Sequence, residues 1–323
     1  MAEPIKLNHP WLVAVWPGMG HVALNAGVYL LAKLGMTEFA EFEGGDTFDI
    51  EAVEVKGGLV QPGRRPRSRF FLWTDPGRRH DLLVFVGEAQ PPGGKYAFCR
   101  RLVAFAREQG VERVFTFAAM ATRMHPEAES RVFGAATDRP NLDELKRLEL
   151  DVLDDGHIGG LNGVLLSAAA EAGLHGACFL GEMPHIFAQI PFPKASHAIL
   201  EAFTTLSGID IDLDELAEQA KLVDQQLGEV LARIEEQARG QQSDDDEDSD
   251  EGDESDGDEE AEEAAAEPEP PKRRSTARKR IEELFEEAAR DRSKAFELKQ
   301  ELDRLSVFKE YEDRFLDLFK KAE

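Results

Sequence analysis

The sequence predicts an α/β fold: a three-layer α/β/α sandwich around a mainly parallel sheet, with a helical tail after it. Three observations carry that prediction. Asp81–Gly87 (DLLVFVG) is a short, continuous apolar run bounded by polar residues, as expected of a strand covered on both faces. Residues 155–184 join a glycine-rich turn, a small apolar helix from Val164 to Ala172 and a second buried run, His175–Gly181. Strand and helix patterns alternate up to residue 238, which implies right-handed crossovers between parallel strands.

In chain order, Leu12–Trp16 is an apolar strand ending at Pro17-Gly18, and Val22–Leu34 repeats small and apolar residues at helical spacing. Phe39–Phe42, Ile50–Val55 and Arg69–Trp73 read as further strands, the last two alternating as antiparallel or edge strands do. Lys95–Gln109 places Phe98, Leu102, Phe105 and Ala106 on one face of a helix that Gly110 ends. Arg113–Ala118 is the next strand, residues 120–130 a loop, Val132–Ala136 a short strand, and Asn141 the cap of a helix through Lys146. Three prolines make residues 184–193 irregular. Helical periodicity returns over Lys194–Leu206 and Asp212–Gln237, with Asp212 placed as a cap.

Charge marks the next boundary. The chain has 323 residues, 42% of them hydrophobic, and a net charge of −26. Asp244–Glu263 holds 15 acidic residues and no basic one, and Glu267 and Glu269 bring that segment to −17. Gly240–Pro271 contains no aromatic or β-branched residue, so it cannot bury enough to offset its like charge, and a disordered acidic linker is expected over 239–273. It separates an α/β domain, 1–238, from a helical arm, 274–323. In the arm, apolar residues such as Ile281, Phe285, Leu298, Leu302, Phe308 and Phe315 recur at three-to-four spacing over two helical stretches, in a coiled-coil-like stripe. Such a stripe needs a surface to cover it, either this protein's own core or a sister subunit, or else a dedicated partner.

Composition excludes several classes. Residues 1–243 carry −11, the wrong sign for a phosphate backbone, so no nucleic-acid partner is expected. The only cysteines, Cys99 and Cys178, lie in apolar runs that suit buried, reduced thiols. No apolar run approaches the roughly 20 residues of a membrane helix, and the first residues lack a basic start followed by an apolar stretch. A cytoplasmic protein without membrane association is expected.

Short motifs give little chemistry. Gly18-Met-Gly20-His-Val-Ala23 fits G-x-G-x-x-A between a strand and a helix, but Pro17 precedes it, and a tight turn that lets strand and helix pack is the simpler reading. Gly93-Gly94-Lys95 lacks the earlier glycine and the Ser or Thr of a phosphate-binding loop, since those positions are Ala89 and Tyr96. H-E-x-x-H, paired C-x-x-C and G-x-S-x-G are absent from the sequence, and no cofactor or catalytic set is expected. Polar residues do gather at the predicted strand ends, where open α/β sheets hold ligands. Glu88, His125, Glu182 and His185 each follow a strand, and His157, Gly159, Gly160 and Asn162 form the glycine-rich turn. With Gly18 and Gly20 they would line a ligand cleft if the ends converge, the helix start near Gly160 offering N–H groups to an anion. The alternative is that they cap helices and meet water. His125, His157 and His185 lack the spacing of a metal site.

Five blocks, taken together, resemble the proteasome assembly chaperone family, in the branch of the second eukaryotic chaperone and many bacterial and archaeal proteins. They are Trp16-Pro-Gly18, Val86-Gly-Glu-Ala-Gln-Pro91, Arg131-Val-Phe-Gly-Ala-Ala136, Gly156-His-Ile-Gly-Gly-Leu-Asn-Gly163 and Phe179-Leu-Gly-Glu-Met-Pro184, within a resemblance spanning about residues 10–235. The resemblance implies a phosphorylase-like α/β/α fold, homo-oligomers, and a protein client of the proteasome-subunit kind where the organism has one. It implies no agreed active site. Some family members are labelled ATP-grasp ligases, so the rival reading is a ligase-like or phosphorylase-like enzyme using the strand-end cleft. Members that bind proteasomes often end in a hydrophobic residue, tyrosine and one more residue, whereas this sequence ends Lys321-Ala322-Glu323.

Overall fold

The structure is a computed structural model; it describes residues 6–44, 47–50, 53, 55–244 and 271–320. The strands are β1 (Trp11–Val15), β2 (Thr37–Glu41), β3 (Val55–Lys56), β4 (Leu59–Val60), β5 (Ser68–Trp73), β6 (Leu82–Gly87), β7 (Arg113–Thr122), β8 (Val132–Ala136), β9 (Asp151–Val152) and β10 (His175–Pro184). Among the described residues eight of them form one sheet in the order β2-β5-β6-β1-β7-β10-β8-β9, while β3 and β4 make a separate hairpin. The four central strands, β6-β1-β7-β10, are parallel; β5 and β8 run antiparallel to their central neighbours and cap the parallel block on either side. The central runs are apolar without alternation because both faces of the sheet are covered.

The helices are α1 (Val22–Lys33), α2 (Lys95–Glu108), α3 (Arg139–Arg147), α4 (Gly160–Glu171), α5 (Pro193–Ser207), α6 (Asp214–Asp244), α7 (Pro271–Arg290), α8 (Ala295–Arg304) and α9 (Phe308–Asp317). Residues of α2 and α4 pack with Leu12, Ala14, Phe70 and Phe85 on one face of the sheet. Residues of α1, α5 and the C-terminal arm pack with Val13, Val15, Val84 and Phe117 on the other. A strand in this sheet therefore sends alternate side chains into two different cores.

Helix α1 explains the arm. Every residue from Val22 to Ala32 is buried, and a helix that is apolar all round must be covered on both sides. Its inner side lies on β1, where a Cβ on Gly27 would meet Val15 Cγ2 at 2.6 Å, so glycine sets the close approach. On another side Ser196 of α5 donates to the Val22 carbonyl at 2.9 Å. The arm supplies more cover: Phe296 meets the Tyr29 ring edge-on at 4.5 Å, and Glu38 N–H donates to the Phe319 carbonyl at 2.7 Å, tying the end of the arm to β2. The apolar stripe read from the sequence thus docks on the protein's own core.

Several local expectations are corrected. Asp138, not Asn141, caps α3: its extended backbone turns its carboxylate onto the Asn141 N–H at 2.9 Å. Strands β7 and β10 are longer than expected because they pair in parallel from Arg113↔His175 to Thr122↔Pro184, so residues 120–122 are strand and not loop. Helix α4 starts four residues before Val164, at Gly160, whose positive φ bends the chain into it. The arm holds three helices instead of two, broken at Asp291, which receives the Ser293 N–H, and at Ser306, which has a left-handed backbone. Part of the expected Ile50–Val55 strand, residues 51, 52 and 54, and residues 245–270 of the expected linker lie outside the described residues.

Candidate functional site

The turn after β1 is held by backbone groups. Gly20, at φ 57°, donates its N–H to Ala188 at 2.7 Å and accepts from Phe192 N–H at 2.9 Å, strapping the 184–193 segment to the turn. Met183 fills the space a Cβ on Gly20 would need, at 2.8 Å. Gly18 is extended and has nothing within 4 Å of a Cβ position, so its conformation does not require glycine.

Gln90, absent from the expected site set, joins two glycine turns. Its amide nitrogen donates to the Pro17 carbonyl at 3.3 Å, and its Oε1 accepts the Leu161 N–H at 3.0 Å. Gly160 sits at φ 65° with Gln90 Oε1 2.6 Å from its Cβ position. One of the N–H groups expected to receive an anion at the start of α4, that of Leu161, is therefore occupied by a side chain of the protein itself. The signal in the sequence was Gln90's place in the Val86–Pro91 block. Gly159 is the extended residue just before α4. Asn162 accepts from Thr116 Oγ1 through its carbonyl at 3.3 Å, and its side-chain oxygen has no hydrogen-bond partner. His157 is exposed, on a groove of ≈ 610 Å³ that also touches Thr137 and Ser167.

Glu182 is committed to structure. Arg131 grips it with two nitrogens, each at 2.8 Å, and Thr122 Oγ1 donates at 2.8 Å. Arg131 holds its carboxyl below the usual range, so it stays a carboxylate with its oxygens filled. His185 bonds the Thr122 carbonyl through Nδ1 at 2.9 Å, and His125 accepts the Glu127 N–H at 3.2 Å within its own turn. Thr122 thereby links Glu182 and His185.

Glu88 is 2% exposed and belongs to a different cluster, built with the arm. Arg67 N–H donates to it at 2.8 Å, Arg64 lies 3.1 Å away, and Lys309 of α9 donates to its carbonyl oxygen at 2.7 Å. Arg69, fully buried, reaches from β5 to Asp313 at 2.5 Å and Asp317 at 2.8 Å. Burial pushes the Glu88 carboxyl up to about 7 against the pull of the Arg67 N–H, and the neighbouring Asp313 carboxylate pushes the same way. Asp313 itself is held low, so the proton of the pair resides on Glu88.

The expected residues thus do not share one cleft: Glu182 and His185 meet at Thr122, Gly160 meets Gln90, Glu88 joins Arg67 and the arm, and His125 and His157 stand apart. Among the described residues no set of three or more His, Cys, Asp or Glu side chains is arranged to hold a metal ion. No helix among them is long and apolar enough to cross a membrane.

Comparison with known proteins places this fold. The model of the PAC2 family matches residues 12–231. An uncharacterized protein of Methanocaldococcus jannaschii is 28% identical over 242 residues, covering 73% of this chain and 89% of its own length. Pyrococcus furiosus PbaB, an archaeal proteasome activator, superposes with a TM-score of 0.60 at 26% identity, over 72% of this chain and 96% of that one. The proteasome-assembly chaperone homologue Rv2125 of Mycobacterium tuberculosis has the same TM-score at 22% identity, covering 69% and 95%, a likeness of fold.

Proposed function

Because the chain belongs to the PAC2 family, we propose that it is a non-enzymatic, self-associating scaffold that assists the assembly of proteasome-type subunits in the cytoplasm. The likeness to PbaB, a proteasome activator, over 96% of that chain is the observation that ties this reading to proteasomes, and the fold shared with proteasome-assembly chaperone homologues supports the assembly role within it. The side-chain chemistry agrees with it. Glu182, a candidate acid or base, has its oxygens filled by Arg131 and Thr122, and Glu88 lies under Lys309 and Asp313 of the arm. A group needed for acid–base catalysis must be free to reach a substrate proton.

In this reading the α/β part up to α6 is the scaffold domain, the acidic segment between α6 and α7 is a tether, and helices α7 to α9 cover the domain's outer face. An assembly-rate assay tests it. Unassembled proteasome α and β subunits of the source organism are mixed with and without the purified full chain, and ring formation is followed by native electrophoresis. Faster or more complete ring formation is expected; identical kinetics would overturn the proposal.

A further inference from the structure

The end of β1 carries a second feature, a chamber of ≈ 260 Å³. Three segments close it: the turn through Pro17 and His21, the stretch at Gln189 and Pro191, and the arm at Asp303, Phe308 and Glu312. Its place in the topology is telling. The chain leaves β1 through α1 on one face and reaches β6 on one side of it, then crosses the other face through α2 to β7 on the opposite side. That is a switch point at the carboxyl ends of parallel strands, where α/β folds form ligand crevices.

The polar atoms around the chamber have a definite bias. Asp303 gives one oxygen to Lys299, and its Oδ1 has no partner. Glu312 gives Oε2 to Lys309 at 2.9 Å, and its Oε1 has no partner. Both side chains are more than nine-tenths buried, at 6% and 2% exposure. His21 Nδ1, also without a partner, stands 4.0 Å from Asp303 Oδ1, and burial and Lys299 lower its pKa so that the ring stays neutral. The nearby cations are engaged: Lys299 Nζ is bound to Asn25 and Asp303 over the Phe308 ring, and Lys309 to Glu312 and the Glu88 carbonyl. Apart from the His21 ring nitrogen, whose role follows its tautomer, the unused hydrogen-bonding capacity belongs to the oxygens of two acids, with Leu24 and Phe308 as apolar walls. An anion would meet the oxygens of two acids there, whereas a donor cation would complete both and favour the charged form of Glu312, whose carboxyl burial pushes up.

We propose that this chamber binds a small organic cation, its ammonium or guanidinium head donating to Asp303 and Glu312 and its short apolar body lying against Leu24 and Phe308. Since Asp303, Phe308 and Glu312 belong to the arm, occupancy also fastens α8 and α9 to α1. The site is independent of the scaffold reading.

The test uses the full chain with propylamine and propylguanidine as probes and butyrate as the anion of matched size. A saturable rise in melting temperature of about 2 °C or more is expected with each cation and none with butyrate. Amide hydrogen exchange across 295–317 should slow in step. Asp303→Asn and Glu312→Gln should abolish both effects. Gln189→Trp should do the same by closing the mouth from an exposed position, without touching either carboxylate. The proposal is overturned if neither cation raises the melting temperature, if butyrate raises it equally, or if the rise survives in all three variants.

Discussion

Lys299 of α8 donates to Asn25 Oδ1 of α1 at 2.9 Å, joining residues 274 apart in sequence inside a buried interface. The same ammonium pairs with Asp303 and stands 4.1 Å from the centre of the Phe308 ring. Burial lowers the Lys299 pKa by more than Asp303 raises it, so the pair carries a net desolvation cost. Breaking such a pair leaves an uncompensated buried charge, a loss of about 3–5 kcal/mol, whereas replacing both partners with apolar groups is far milder. Lys299→Met should therefore lower the unfolding free energy markedly, and Lys299→Met with Asp303→Leu should recover most of it. Chemical denaturation of the two variants checks this; equal losses would show that the pair is not the source.

The arm's contribution can be measured through one ring. Phe296 is 2% exposed and packs edge-on against Tyr29. Truncation of a buried Phe costs about 3–5 kcal/mol. Phe296→Ala should lower the melting temperature of the whole domain in a single transition, because α1 loses a cover. A separate early transition, with the main one unmoved, would mean that the arm melts independently.

Glu88 makes stability depend on pH near neutrality. Its carboxyl is raised from 4.5 to about 7, so the folded state holds the proton more tightly than the unfolded chain does. Its contribution is complete below about pH 4.5 and is lost as pH rises through about 7. The depressed Asp313 acts with the opposite sign, but at pH below its ordinary 3.8. The melting temperature should fall more steeply across this window in the natural protein than in Glu88→Gln, where Glu312, raised by burial, and His21 and His80, lowered by it, still titrate. Parallel curves would refute the assignment.

The glycines of the two turns differ in what they require. A Cβ on Gly163 would lie 2.1 Å from the Ile158 carbonyl oxygen, a clash with backbone, while one on Gly18 would meet nothing within 4 Å. Gly163→Ala should destabilise by about 2 kcal/mol or more through forced backbone movement. Gly18→Ala should be nearly neutral, as a dinucleotide-binding glycine would not be. Thermal unfolding of both distinguishes them.

Legibility in the sequence followed the range of the interaction. The buried strands Leu82–Gly87 and His175–Gly181 announce themselves by short apolar runs and helix α1 by small and apolar residues at helical spacing, both local signals. The composition of α1 also implied two covers, although nothing local named the arm as one of them. Glu88 and Glu182 could be placed at strand ends, but not the partners that occupy them, because Arg131, Lys309 and Asp313 lie 51, 221 and 225 residues from them in one order or another of the fold. Asp303 and Glu312 gave no signal, since neither belongs to a motif, and His21 was visible only as a variable position of the Gly18–Ala23 turn; the docking of the arm is what brings the three together.

Native mass spectrometry of the full chain, alone and mixed with the proteasome α subunits of its source organism, tests the scaffold reading most directly. The account predicts a defined homo-oligomer by itself and a stoichiometric complex with the α subunits. A monomer that forms no complex across micromolar concentrations would contradict it.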